Sequence, residues 1–257
     1  MSVARMFKIP DGDGNLVSFP IQDQENRRSR RDITSDLANL SAAVTERNLT
    51  KYGYSIGDYF TGPSGYEYTL GDQDTFSGIG KYNEKTYAVI HEPHLSIVVN
   101  TKQKVQWNTT NVTDTGYVGS NLHSYLVNTV LPNVKNDFAT LFGNWVNHLI
   151  SHSKLYRTNN NKWGWGWSND QYISALTSVQ FHGSPICDMD GTDTGEGNKP
   201  LEVFQKFFYP EILGNQNNWL RSVSAAGYPC NAATNGAAAG DNGASDSYWA
   251  VGLIIFK

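Results

Sequence analysis

Asn218-Trp219-Leu220-Arg221-Ser222, then Ala225-Ala226-Gly227-Tyr228, and finally Tyr248-Trp249-Ala250-Val251-Gly252-Leu253-Ile254-Ile255-Phe256 form the stretch that decides the fold. An apolar strand with a polar break leads through a turn of small residues into a loop. An almost purely apolar strand, bounded by Ser247, follows it. A short continuous apolar run of this kind predicts a strand buried on both faces, at the centre of a sheet. Trp219, Leu220, Leu253 and Ile255 are expected in its core. Between the two strands, Asn231 to Ser247 contains no apolar residue larger than alanine. That composition reads as an adaptable loop, with residues 51 to 230 as the scaffold that presents it.

Length and composition bound the rest. At 257 residues, the chain can form one large domain with an appendage, or two small domains. Charged residues make up 17%, below the roughly 25% usual in soluble domains. Tyr, Trp, Gly and Asn fill the gap, which suits an all-β or α+β surface protein more than a metabolic α/β enzyme. A net charge of −4 gives no general case for nucleic acid. No apolar run approaches the roughly 18 residues of a membrane span. The N-terminal stretch is interrupted by Lys8, Asp11 and Asp13, so no secretory leader is expected. The two cysteines, Cys187 and Cys230, are no disulfide framework; a bridge and two small buried hydrophobes both remain open.

Along the chain, residues 1–22 predict an extended arm. Pro10 and Pro20 oppose helix, and Asp11-Gly12-Asp13-Gly14 is a turn signal. Its few apolar side chains cannot make a core of their own, but they suit docking by strand addition; a disordered tail is the plainer alternative. Residues 23–50 read as a helical stem. Ile33, Leu37, Leu40 and Val44 recur at spacings of four, three and four, a heptad seam expected to assemble a homotrimer, or else to dock the helix on its own domain. The basic cluster Arg27, Arg28, Arg30 and Arg31 is expected on a solvated helix face or an acidic partner surface. Short strands with Gly-rich turns follow to residue 100. Ser120 is a plausible helix N-cap, Leu122, Leu126 and Val130 fall on one face, and Pro132 is expected to end that helix before a second one carrying Phe138, Phe142 and Trp145.

Three constellations invite chemistry. Trp163, Trp165 and Trp167 alternate with glycine, so in a strand they would share one face at about 6.6 Å spacing. Flat aromatics stack on the apolar faces of sugar rings; a core or inter-subunit aromatic cluster is the competing account. Asp188, Asp190, Asp193 and Glu196 depart from the EF-hand pattern and read as a solvated acidic loop, with hard oxygen ligands for Ca²⁺ as the alternative. His148 and His152 lack the intervening glutamate of a zinc-protease helix, and His91 and His94 lack further ligands. No metal or other cofactor is expected. No Ser-His-Asp order, phosphate loop or dinucleotide fingerprint stands out, so no enzyme is expected either.

The order of motifs carries a resemblance. Trp219-Leu220-Arg221-Ser222, the small-residue turn, the loop with Asn242-Gly243-Ala244 and the closing apolar strand resemble the C-terminal end of C-type-lectin-like domains, of the variety shared by phage receptor-binding proteins and formylglycine-generating-type enzymes. Where that family closes with G-x-R-P, this chain has Ser247-Tyr248-Trp249-Ala250. Gly57-Asp58-Tyr59-Phe60 with Leu70-Gly71-Asp72, and Trp107-Asn108 with Thr115-Gly116-Tyr117, resemble a domain common in phage structural and bacterial surface proteins. The start of the arm resembles the N-terminal anchors of phage fibres. The resemblance covers roughly residues 53–257. It implies an α+β chain with three parts: an arm (1–22), a short coiled-coil helix (23–50), and a C-type-lectin-like domain (51–257) with a small antiparallel sheet, flanking helices and long loops. It further implies a bacteriophage virion protein of fibre or spike type, assembled in the host cytoplasm. Its arm would bind other virion proteins and its loop a host cell-surface glycan; the alternative is a head-fibre or decoration protein with a purely structural domain. The enzymes of that variety need paired cysteines near the C-terminus, and Cys230 has no companion there. The loop mixes rigid aromatics with small polar residues, as binding loops do. Asn231, Asn235, Asp241, Asp246 and Tyr248 are therefore the expected ligand contacts, with Trp163, Trp165 and Trp167 as a neighbouring wall.

Overall fold

The computed structural model describes residues 6–10, 16–20, 29–73, 79–82, 85–88, 95–150, 152–158, 164–182, 200–207, 209–225, 228–232, 238–239 and 242–256. The chain forms two units, Met1–Arg30 and Arg31–Lys257. In the first, β1 (Met6–Pro10) and β2 (Leu16–Pro20) pair antiparallel, with Phe7 opposite Phe19 and Ile9 opposite Val17. Over its described residues the arm is two paired strands, on either side of the Asp11–Gly14 turn signal. Each strand ends in proline, which cannot extend a ladder.

The larger unit starts at the expected stem, and the long helix is not there. Residues 29–39 are bridge and turn. Ile33 donates its backbone N–H to Tyr59 O at 2.8 Å, and Tyr59 donates to Arg31 O at 2.9 Å. Among its described residues only α1 (Leu40–Thr45) is α-helical, a 3-10 turn starts at Thr50, and residues 23–28 lie outside the described part. Ile33, Leu40 and Val44 are buried in the chain's own core, and Leu37 packs against it. The seam is therefore spent within the fold and leaves no free face for a coiled coil. Two causes act together, the pairing with Tyr59 and a local turn. Asp32 accepts from both the backbone N–H and the hydroxyl of Thr34, at 2.9 and 2.6 Å, a turn that competes with helix at the point where the seam begins.

The next elements are β3 (Tyr59–Thr61), β4 (Glu67–Asp72), β5 (Ile79–Tyr82), β6 (Lys85–Ala88) and β7 (Leu95–Gln106). A helical stretch follows, α2 (Asn121–Tyr125) and α3 (Leu131–Phe142), joined by a π-turn over Leu126–Val130 and closed by a 3-10 turn over Gly143–His148. Then come β8 (His152–Thr158), β9 (Gly164–Gln171), β10 (Ser174–Ala175), α4 (Ser178–His182), α5 (Glu202–Lys206) and α6 (Tyr209–Leu213). The C-terminal part supplies β11 (Asn218–Ala225), β12 (Tyr228–Ala232), β13 (Ala238–Ala239) and β14 (Ser247–Phe256).

The fold is α+β, with a mixed sheet ordered β13-β12-β11-β14-β7-β4-β3. Among the described residues, the sheet expected to be small and antiparallel has eight strands, one pair of them parallel. β14 is central, as its apolar run requires. It pairs along its length with β7, from Ser247 opposite Gln106 to Phe256 opposite Leu95. On its other side it meets β11 in parallel where Asn218 faces Trp249, then β10 where Ser174 faces Leu253. The parallel contact arises because β12 reverses the chain after β11, and the loop before β14 brings it back to the end where β11 began. Trp219, Leu220, Leu253 and Ile255 are all buried.

Ser120 caps α2 as expected, its hydroxyl accepting from His123 N–H at 3.0 Å. Pro132 does not end the helix; it sits in the first turn of α3. A proline ring clashes with the carbonyl four residues back in a regular helix. Here that carbonyl belongs to Asn128, inside the π-turn, whose wider coil relieves the clash. Phe138 and Trp145 lie against Phe256 at 4.6 and 4.5 Å between ring centroids, which fastens α3 and the following 3-10 turn to the end of β14. Among the described residues, no helix is long and apolar enough to cross a membrane.

Candidate functional site

The start of β14 brings the loop before it against the segment after β7. Asn108 N–H donates to Ala244 O at 2.8 Å, and Gln106 Nε2 donates to Ser245 O at 2.7 Å. Asn111 completes the strap. Its Oδ1 accepts from Ser245 N–H at 3.0 Å and from the Ser245 hydroxyl at 2.7 Å. A Cβ at position 243 would lie 2.7 Å from Asn111 Oδ1, so any larger residue there would push the Asn111 side chain out of this arrangement. Asn242 accepts from the Tyr248 hydroxyl at 2.6 Å, and the Tyr248 ring lies 4.5 Å from that of Trp219. The Trp219 indole N–H in turn donates to Val105 O at 2.8 Å. Residues 242–248 are thus a pinned lip rather than a loose tether, with the exposed carboxylate of Asp246 at its crest.

Of the expected contacts, Asp246 and Tyr248 fall on this lip. Asp246 is exposed, while Tyr248 is half-buried with its hydroxyl engaged within the loop. Asn231 is not a surface residue. It lies on β12 opposite Trp219 and Ala239, 0% exposed, with neither amide atom hydrogen-bonded among the described residues. The sequence misled because Asn231 was counted into the polar loop, whereas β12 runs on to Ala232. Asn235, Asp241 and Trp163 lie outside the described residues. Trp165 and Trp167 stand on β9, opposite Arg157 and Leu155 of β8, and their side chains too lie outside the described part. The structure therefore brings together Asp246 and Tyr248, adds Asn111, Gln106 and Asn242, and removes Asn231. The signal for Asn111 was present but ambiguous: an asparagine in a Thr-rich turn after a strand often serves a loop.

Beneath the lip, polar groups are fixed by burial. Tyr209 donates to Ala232 O at 2.8 Å and accepts from Asn218 Nδ2 at 2.7 Å; desolvation pushes its hydroxyl up, so it stays protonated. Burial also pushes up the Tyr117 hydroxyl, which accepts from Ala175 N–H at 2.8 Å. These bonds tie α6 to β11 and β12, and the segment before α2 to β10.

Among the described residues, no group of three or more His, Cys, Asp or Glu side chains could hold a metal ion. The acidic stretch Asp188–Glu196, the pair His91 and His94, and Cys187 lie outside them. Cys230 is buried on β12. No protein-family model, no curated protein and no solved structure matches the chain.

Proposed function

We propose that this chain is a bacteriophage virion protein of fibre or spike type, whose larger unit is a C-type-lectin-like domain that binds a glycan on the host surface. The observation that carries the reading is the pinned lip. A loop of small polar residues is held in one conformation by Asn111, Gln106 and Asn242, at the open end of the central strand. A loop ordered before it meets its ligand loses less conformational freedom on binding. The lip exposes the Asp246 carboxylate and the Ser247 hydroxyl, groups that can hold sugar hydroxyls. The paired strands β1 and β2 support an attachment role, because two strands carry little stability by themselves and gain it from a partner. That partner is another virion protein.

Virions carrying Asn235→Ala, Asp241→Ala, Asn242→Ala and Asp246→Ala together should assemble normally and fail to adsorb to host cells. Adsorption at the parental level refutes the receptor-binding reading. One observation favours a second reading, a decoration or head-fibre protein with a purely structural domain: the Tyr248 hydroxyl and the whole Asn231 side chain are withdrawn from the surface. Under that reading an antibody against the chain labels the particle while the fourfold variant adsorbs normally.

A further inference from the structure

The lip holds one of the chain's two Asn-Gly pairs, Asn242-Gly243; the other, Asn235-Gly236, lies outside the described residues. An asparagine followed by glycine sets an electrophile beside a nucleophile. The next backbone nitrogen attacks the side-chain carbonyl carbon and closes a five-membered ring, and glycine has no Cβ to crowd that approach. Two features of the lip favour the reaction at Asn242. Gly243 N–H donates to no acceptor among the described residues, whereas Asp246 N–H is committed to Gly243 O and Ser245 N–H to Asn111 Oδ1. The nitrogen of Gly243 is thus not tied up in a hydrogen bond that ring closure would have to break. The Tyr248 hydroxyl, in turn, donates to Asn242 Oδ1 at 2.6 Å. Negative charge grows on that oxygen when the carbon beside it is attacked. A donor already aimed there stabilises the tetrahedral intermediate as an oxyanion hole does. The Tyr248 ring is itself held against Trp219, at 4.5 Å between centroids.

We propose that Asn242 is a self-modification site, at which the folded chain converts its own asparagine into aspartate and isoaspartate. The Gly243 nitrogen loses its proton and bonds to Asn242 Cγ. The bond from Cγ to the side-chain nitrogen breaks, and that nitrogen takes up a proton and leaves as ammonia. Water then opens the succinimide at either carbonyl. Opening at one gives aspartate; opening at the other gives isoaspartate, whose backbone runs through Cβ and Cγ. The reaction consumes only water and is independent of any ligand on the lip.

Neither product leaves the lip as it was. Isoaspartate lengthens the backbone between positions 242 and 243 by one methylene. There is no slack to absorb it, since even a Cβ at position 243 would lie 2.7 Å from Asn111 Oδ1. Displacing Asn111 breaks its bonds to the Ser245 N–H and hydroxyl, and the loop comes away from the segment after β7. Aspartate keeps the backbone length but sets a second carboxylate on the lip that carries Asp246, adding one negative charge to the chain's −4. Asn242 is therefore a slow, one-way switch between a pinned lip and a loosened or more acidic one.

The experiment holds the full chain in mildly alkaline buffer, which promotes loss of the Gly243 amide proton, and samples it over days. Peptide mapping by mass spectrometry reads the mass gained when NH₂ becomes OH, and electron-transfer fragmentation separates isoaspartate from aspartate. Asn242 should convert to both. Tyr248→Phe keeps the ring against Trp219 but removes the donor, and should slow the conversion about tenfold, the rate effect of one hydrogen bond to a charged oxygen. In the isoaspartate fraction the Ser245 amide should exchange its hydrogen faster than in fresh protein. An Asn242 that keeps its amide overturns the proposal, as does a Tyr248→Phe variant that converts as fast as the parent or faster. Equal protection of the Ser245 amide in the two fractions overturns the release of the loop.

Discussion

Asp137 offers the sharpest test of how the larger unit is held together. It is 2% exposed on α3, and its carboxylate gathers three donors from the β3–β4 turn and β4. Ser64 donates its backbone N–H at 2.9 Å and its hydroxyl at 2.5 Å, and Tyr68 donates its hydroxyl at 2.6 Å. Gly62 packs so closely that a Cβ there would lie 2.3 Å from Asp137 Oδ2. Burial and the adjacent carboxylate drive the Tyr68 hydroxyl far above its usual range, so it remains a donor. Replacing Asp137 by Ala removes the acceptor from Tyr68 and from the turn. A hydrogen bond to a charged group is worth about 1.5–3 kcal/mol, and stranding a buried hydroxyl costs about 1–3 kcal/mol more. The exposed Ser64 donors recover water, so the expected loss is about 3–5 kcal/mol. For a domain of this size, 1 kcal/mol lowers the melting temperature by about 2–4 °C, which puts the fall near 10 °C. Tyr68→Phe leaves two of the three bonds in place and should cost about 1–2 kcal/mol. The assay is thermal unfolding of parent, Asp137→Ala, Tyr68→Phe and the double variant. A shift under about 2 °C for Asp137→Ala, or strict additivity of the two substitutions, would refute the clamp.

Two further outcomes follow from other parts of the fold. Gly57 has φ +94° and a Cβ there would lie 2.0 Å from the Phe207 ring, so Gly57→Ala should lower the melting temperature by well over the shift of a surface substitution, about 3 kcal/mol in all; an unchanged melt would show that the ring moves aside freely. Burial lowers the His182 pKa from 6.5, so in the folded chain the imidazole stays neutral where the unfolded chain gains a proton. Its contribution to stability is complete above 6.5 and is lost as the pH falls through the window down to the folded value. The His182 ring-proton titration by NMR should have its midpoint below 6.5, and a midpoint at or above it contradicts the burial.

The chain by itself determined the elements whose local pattern and tertiary setting agree. An apolar run without alternation can only be satisfied with cover on both faces, and β14 lies at the centre of the sheet for that reason. Ser120 reads as a cap because its hydroxyl serves the N–H three residues on, a bond made within one turn. What tertiary structure decided is where like patterns part company. The spacing of Ile33, Leu37, Leu40 and Val44 is the same for a coiled-coil seam and for a bridge, a turn and one short helix laid on a sheet. The Asp32–Thr34 turn opposes helix locally, and the pairing of Ile33 with Tyr59 selects the second. Pro132 sits inside a helical stretch because a π-turn upstream makes room for its ring, which no local propensity announces. Asn231 looks like a loop residue by composition, and the register of β12 against Trp219 buries it. Asn111 and Ser245 are 134 residues apart. Sites of that kind depend on which segments the sheet brings together, and pairing over such distances leaves no periodic mark on the residues that take part.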